Sequence, residues 1–125
     1  MNIEEDIFKK TIIDFNKLEL YGFKKNNNKY IYSKTFYNSF RADITIDKKN
    51  KVSGKVYDLE TNEEYTNIRL NLPQGRFINN IKESYKEILL DIKNKCTTNK
   101  YFISDQANRI TKYIFDKYND KPFFL

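Results

Sequence analysis

The chain has 125 residues, enough for one domain with a single core, and its composition is 39% apolar with ten Phe, ten Tyr and no Trp. It contains no His and only one Cys, Cys96. This excludes Ser–His and Cys–His catalytic pairs, an intrachain disulfide and a Cys/His zinc site, and the net charge of +6 favours an anionic partner.

The first half of the chain predicts one helix followed by the start of a sheet. Residues 3–18 place apolar side chains at helical spacing, which predicts a single amphipathic N-terminal helix; these side chains are Ile7, Phe8, Ile12, Phe15 and Leu18. Residues 24–28 form a polar, Asn-rich stretch typical of a loop. Residues 30–33 have high β propensity and predict the first strand.

Residues 40–58 predict a β-hairpin. Apolar and polar residues alternate strictly from Phe40 to Asp47, and the alternation resumes at Val52. Lys48, Lys49 and Asn50 form a three-residue turn, in which Asn50 suits a left-handed conformation. The resulting register puts Asp43 opposite Lys55, so opposite charges meet across the strands.

The second half predicts one more strand and two helices. Residues 66–72 alternate as a strand does, residues 77–92 carry the strongest helical periodicity, and residues 104–118 predict a last helix. We therefore expect a single α+β domain over residues 1–125. Its antiparallel meander has three or four strands, with an N-terminal helix and two C-terminal helices packed on one face.

Positive charge is concentrated in residues 21–57, which hold nine basic and two acidic residues and have a net charge of +7. This stretch supplies the candidate nucleic-acid-binding residues, namely Arg41, Lys48, Lys49, Lys51 and Lys55, with Tyr57 available for stacking. The alternative is an ordinary solvated sheet face on which Asp43 and Asp47 neutralise the cations. Four nearby aromatics are expected to belong to the core rather than to a stacking platform: Tyr30, Tyr32, Phe36 and Tyr37.

Other sequence features indicate no catalytic or metal site. Asp47, Lys48 and Lys49 match a D-x-K fragment of metal-dependent nucleases, but no partner carboxylate accompanies them. No segment approaches the roughly 18 consecutive apolar residues that would span a bilayer, and the acidic N-terminus differs from a secretory signal. We expect a cytoplasmic, non-catalytic protein with no cofactor and no membrane partner.

Several stretches resemble the region that precedes the DNA-binding-like domain in bacterial MmcQ/YjbR family proteins. They include Tyr21-Gly22-Phe23-Lys24, Phe40-Arg41-Ala42-Asp43, Gly54-Lys55-Val56-Tyr57, Gln106-Ala107-Asn108-Arg109 and Lys121-Pro122-Phe123-Phe124-Leu125. The resemblance implies an accessory binding module with weak nucleic-acid affinity and without a catalytic motif, at the N-terminal part of a longer protein. The alternative is a protein-interaction or dimerisation module that docks Phe123, Phe124 and Leu125 on a second domain or a second copy.

Overall fold

A computed structural model describes residues 2–70 and 75–99 of the chain. In chain order its elements are α1 (Ile3–Phe8), β1 (Thr11–Ile13), α2 (Phe15–Tyr21), β2 (Lys24–Asn26), β3 (Lys29–Phe36), β4 (Phe40–Asp47), β5 (Val52–Asp58), β6 (Glu63–Glu64), a 3-10 helix (Thr66–Arg69), α3 (Arg76–Cys96) and β7 (Thr97–Asn99).

The described residues form an α+β fold around an antiparallel meander of five strands, in the order β2-β3-β4-β5-β6. The predicted meander is confirmed, but the expected three or four strands were too few. Residues 24–26, which we predicted to be loop, pair with β3 as an edge strand. The hairpin register is confirmed, since Arg41 lies opposite Tyr57 and Asp43 lies opposite Lys55.

The core lies between one face of this sheet and the long helix α3. On β4, Ala42, Ile44 and Ile46 are buried, as the strict alternation predicts. The matching stripe of α3 recurs every three or four residues and is also buried; it comprises Ile81, Tyr85, Ile88, Leu89, Ile92 and Cys96. The predicted helix over residues 77–92 is therefore confirmed. The opposite face of the sheet, which we call the open face, carries the partly exposed side chains that alternate with the buried ones along β4.

The predicted single helix over residues 3–18 is wrong. The structure has two short helices, because Lys10 adopts a left-handed conformation (φ 59°) and the chain then enters strand β1. Strand β1, with the β-branched sequence Thr-Ile-Ile, pairs with β7. The second helix starts at a new N-cap, since Asp14 accepts hydrogen bonds from the N–H groups of Asn16 (3.1 Å) and Lys17 (3.4 Å).

The strand predicted for residues 66–72 is wrong over its described part, which is a 3-10 helix at Thr66–Arg69. Neighbouring residues of a strand point to opposite faces. The tighter turn instead buries Ile68 completely and also brings the guanidinium of Arg69 against the buried carboxylate of Glu4. Two inward-pointing neighbours are incompatible with an extended strand.

Two further predictions lie outside the described residues. The last helix, expected over residues 104–118, and the apolar residues Phe123, Phe124 and Leu125 therefore stay predictions. Among the described residues, no helix is both long and apolar enough to cross a membrane.

Candidate nucleic-acid interface

One end of the sheet gathers lysines from two separate turns. The β2–β3 turn and the β4–β5 turn lie at the same end because Lys29, the first residue of β3, pairs with Asp47, the last residue of β4. Exposed lysines lie in or beside both turns. Lys25 and Lys29 lie on either side of the first turn, and Lys48, Lys49 and Lys51 lie in or next to the second. The antiparallel topology thus brings together cations that are 19 to 26 residues apart in the sequence.

The connection between α1 and β1 adds two further lysines to this end. Lys9 and Lys10 line a depression of about 280 Å³ together with Lys49 and Lys51 of the hairpin turn. The turn is held in place because the side-chain oxygen of Asn50 accepts a hydrogen bond from the Ile13 N–H at 3.1 Å. We call the whole group the basic end; it comprises Lys9, Lys10, Lys25, Lys29, Lys48, Lys49 and Lys51.

Asp47 is the carboxylate of the hairpin turn; it stays ionised and partly offsets the charges of Lys49 and Lys51, while the turn backbone holds it in place. One of its oxygens accepts hydrogen bonds from the N–H groups of Lys49 (2.8 Å) and Lys51 (3.0 Å). These bonds, led by the one from Lys51, lower the pKa of Asp47. The lysines of the turn, Lys48, Lys49 and Lys51, are exposed. Lys9 pairs with Asp6 at 3.3 Å, but both side chains are more than half exposed and the pair contributes little.

The opposite end of the sheet is acidic. The residues around the β5–β6 turn include four carboxylates, Asp58, Glu60, Glu63 and Glu64, and β6 pairs Glu64 with Tyr57. In the described part of the molecule, lysines therefore outnumber carboxylates at the basic end, where Glu5 lines the same depression as Lys9, and carboxylates predominate at the β5–β6 turn. Such a distribution orients an approaching polyanion toward the basic end.

The structure divides the predicted binding residues into two groups. Lys48, Lys49 and Lys51 lie at the basic end, whereas Arg41 and Tyr57 lie about 20 Å from Lys51, the length of six strand residues. Arg41 stacks on the Tyr57 ring, with 5.0 Å from the guanidinium carbon to the ring centroid. Lys55 lies between the two groups on the same open face.

Arg41 is also held by a carboxylate on its own strand. Its Nε and Nη2 donate to the two oxygens of Asp43 at 3.0 and 3.1 Å, and the Ser33 hydroxyl donates to the same carboxylate at 2.7 Å. Asp43 thus neutralises a cation of this face, as the alternative of a solvated sheet face predicts. The cation in contact is Arg41 rather than the cross-strand neighbour Lys55. A paired Arg41 is a weaker phosphate ligand than an exposed lysine.

The aromatic residues near the site mostly serve the core, as predicted. Tyr30 is buried and stacks on Phe15 with ring centroids 5.3 Å apart, and the half-buried Tyr32 stacks on Phe23 at 5.1 Å. Tyr37 is the exception, since about half of its surface is exposed in the β3–β4 turn.

Sequence reasoning missed a buried polar cluster behind the sheet. The Glu4 carboxylate is 1% exposed and accepts two hydrogen bonds from Arg69, at 3.0 and 2.9 Å, and one from the Tyr85 hydroxyl. Burial, followed by the negative charge of Glu4, raises the pKa of Tyr85. Because Arg69 also donates to the carbonyl of Gly54, the cluster ties α1, β5, the 3-10 helix and α3 together.

A second polar group links α2 to α3. The Tyr21 hydroxyl donates to Asp91 at 2.6 Å, and Lys95 lies 3.1 Å from the same carboxylate.

Within residues 2–70 and 75–99, no three His, Cys, Asp or Glu side chains converge in a way that could hold a metal ion. Cys96 is buried against the Lys17 carbonyl, and burial raises the pKa of its thiol.

Comparisons with protein-family models, with curated proteins and with solved structures find no significant match for this chain. The resemblance to the MmcQ/YjbR family therefore rests on the quoted sequence stretches alone and stays a prediction.

Proposed function

We propose that the chain is a non-catalytic binding module whose basic end holds the phosphate backbone of nucleic acid. The observation that supports this most directly is the convergence of seven lysines from three separate segments at one end of the sheet. Sequence alone indicated only the hairpin lysines. The folded chain adds Lys9 and Lys10 across a shared depression and Lys29 through strand pairing.

The arrangement favours a chain-like polyanion over a single small anion. The lysines follow the rim of the sheet from the β2–β3 turn to the β4–β5 turn and continue to the end of α1. A linear array of charges suits successive phosphates, because each neutralised phosphate releases a condensed counterion. All cations of the basic end are lysines, which act as point charges without demanding a fixed geometry. We therefore propose contacts to the backbone rather than sequence-specific readout.

The experiment is a charge-reversal triple variant, Lys48→Glu, Lys49→Glu and Lys51→Glu, tested by fluorescence anisotropy with a labelled oligonucleotide. These side chains are exposed, so the variant should keep the circular dichroism spectrum of the wild type. We expect it to bind far more weakly, because three attractive charges become repulsive ones.

The matched control reverses three lysines on the helical side of the sheet: Lys17→Glu, Lys34→Glu and Lys93→Glu. Each exchange removes two units of charge, so both triple variants bring the net charge from +6 to zero. The control should retain most of the affinity. Equal loss in both variants would mean that net charge, and not the basic end, determines binding.

A second candidate function is interaction with a protein through the helical side. Leu20 is 87% exposed there, and two neighbouring depressions of about 440 and 510 Å³ share Asp91 as a lining residue. The first of them is also lined by Phe36, Tyr37 and Ile88. Sedimentation over a wide concentration range tests the self-association form of this proposal, which a concentration-independent monomer would contradict.

A further inference from the structure

We propose that the open face of the sheet beside β2 binds an unpaired nucleobase, which makes single-stranded nucleic acid the ligand class of this module. The inference rests on the proposed function, because the basic end supplies the contacts to the backbone. It adds a second site on the same molecule and excludes the duplex as the preferred ligand.

The proposed site is a depression of about 400 Å³ across β2 and β3, lined by Gly22, Lys24, Asn26, Ile31, Tyr32 and Ser33. Strand pairing puts Lys24 directly opposite Ile31, so the two side chains lie on the same open face. The volume is within the range of roughly 300–1,000 Å³ that small-molecule sites occupy. Lys24, Asn26, Ile31 and Ser33 therefore put most of the lining on the open face, whereas Tyr32 lies on the core side of β3.

The lining residues match the chemistry of a nucleotide. Ile31 is half-buried and offers an apolar floor for the flat face of a base, while the Asn26 amide can both donate to and accept from the edge of that base. The exposed ammonium group of Lys24 is suited to the adjoining phosphate. Ser33 donates its hydroxyl proton to Asp43, which fixes the orientation of its oxygen as an acceptor.

The depression adjoins the basic end, so one ligand can occupy both. Asn26 is the last residue of β2, and after the two-residue turn Lys29 begins β3 opposite Asp47 of the hairpin. A single strand whose phosphates contact the turn lysines therefore needs to run only a few residues along β2 to place one base over Ile31.

The shape of the basic end disfavours insertion into a duplex. A two-stranded ribbon fits the major groove, which is about 12 Å wide. Here the hairpin is flanked by β3 and β2, and four strands at about 4.8 Å spacing span about 14 Å. In addition, Asn50 fastens the hairpin turn to Ile13, so that the turn does not project as a separate wing. The faces of paired bases are also stacked inside a duplex and cannot reach Ile31.

The experiment compares a thymidine oligonucleotide of about 16 nucleotides with a mixed-sequence duplex of the same length, by anisotropy at one salt concentration. We expect the single strand to bind about tenfold more tightly, the size of effect that hydrogen bonds between Asn26 and the edge of a base contribute. Ile31→Glu should reduce this preference about tenfold. Leu20→Glu makes the same chemical change on the helical side and should leave the preference intact.

Asn26→Ala provides a second test, because it removes the amide of this exposed side chain without changing the net charge, and it should leave the fold intact even if Ile31→Glu does not fold. It should lower the ratio of single-strand to duplex affinity. Equal affinity for both ligands, or a ratio unchanged in the folded variants, would overturn the base site and leave the basic end standing. Absence of binding to either ligand would instead overturn the proposed function itself.

Discussion

Gly54 shows how one residue accommodates the buried polar cluster. It lies in β5 between Val52 and Val56, where the alternation predicts an inward-facing side chain. The Tyr85 hydroxyl occupies that space, since a Cβ at Gly54 would overlap it and would also contact Glu4. A glycine at this position lets the tyrosine reach the carboxylate of Glu4.

We predict that Gly54→Ala destabilises the protein by roughly 1–3 kcal/mol, the usual cost of overpacking a filled site. Ser53→Ala is the control, because Ser53 precedes Gly54 in the same strand and its side chain is exposed. Urea unfolding followed by circular dichroism measures both variants. A Gly54→Ala protein as stable as the control would contradict the described packing of Tyr85.

Sequence patterns could not reveal the Glu4 cluster, because its members come from four elements with unrelated periodicities. From the sequence, Glu4 is expected to be an exposed acid in the first turn of a helix, and Arg69 is expected to lie on the polar face of a strand. Only the tertiary structure shows that Arg69 forms a bidentate ion pair with the carboxylate of Glu4, which is 1% exposed. A buried charge must be paired in this way, but the sequence does not identify its partner.

Among the elements, the turns of the meander share one residue type. Each of the four turns contains an Asn with positive φ: Asn27, Asn38, Asn50 and Asn62. Asn tolerates the left-handed conformation better than other residues with a side chain. Asn50 has an additional role, since its side chain also holds the Ile13 N–H and so fixes the hairpin at the basic end.

We predict that Asn50→Gly costs about 1 kcal/mol, the net value of one hydrogen bond, although glycine accepts the same backbone angle. Asn62→Gly is the matched control, because its φ of 58° resembles the 67° of Asn50. Thermal unfolding compares the two variants. A stability loss of the same size in both would indicate that the contact between Asn50 and Ile13 does not stabilise the turn.

The elements predicted correctly are those in which one period persists over a long segment. The alternation from Phe40 to Val56 specified both strands and their register, and the stripe over residues 77–92 specified the helix that the structure extends to Arg76–Cys96. The N-terminal prediction was wrong because apolar residues of two short helices and a strand happen to fall at helical spacing. In that segment, Asp14 as a cap and the β-branched run before it were the informative signals.

Only part of the candidate site could likewise be predicted from the sequence. Charge counting located the hairpin lysines, but the addition of Lys9 and Lys10 depends on the docking of α1 beside the turn. The separation of Arg41 and Tyr57 from the lysines follows from strand length alone. Their mutual stacking and the pairing of Arg41 with Asp43 required the structure.

At the scale of the whole molecule, the absence of histidine gives a broad stability plateau. Hydrogen bonds from the Lys51 N–H and from the Tyr21 hydroxyl lower the pKa values of Asp47 and Asp91, respectively. In the folded state both carboxylates therefore bind protons more weakly than in the unfolded chain. The stability they contribute is complete above about pH 4, and acid removes it as these groups protonate.

At alkaline pH the dependence has the opposite sign, so that stability falls as the pH rises. Burial raises the pKa values of Tyr21 and Tyr85. The stability that these two tyrosines contribute to the folded protein is therefore complete below about pH 10 and is lost above it. We predict a constant urea midpoint between about pH 5 and pH 8, with a decline on both sides. Asp47→Asn combined with Asp91→Asn should flatten the acid decline. A midpoint that changes strongly near neutral pH would contradict this account.

The central claim is that an array of lysines at one end of the sheet binds the backbone of nucleic acid. Its most direct test is the affinity for a thymidine oligonucleotide, measured over a series of salt concentrations. Each phosphate contacted on a single strand contributes a slope of about −0.7 to the plot of log affinity against log salt concentration. Contacts by about three to five lysines of the basic end predict a slope between about −2 and −3.5, which the triple hairpin variant should reduce. A salt-independent affinity, or a slope that the triple variant leaves unchanged, would contradict the claim.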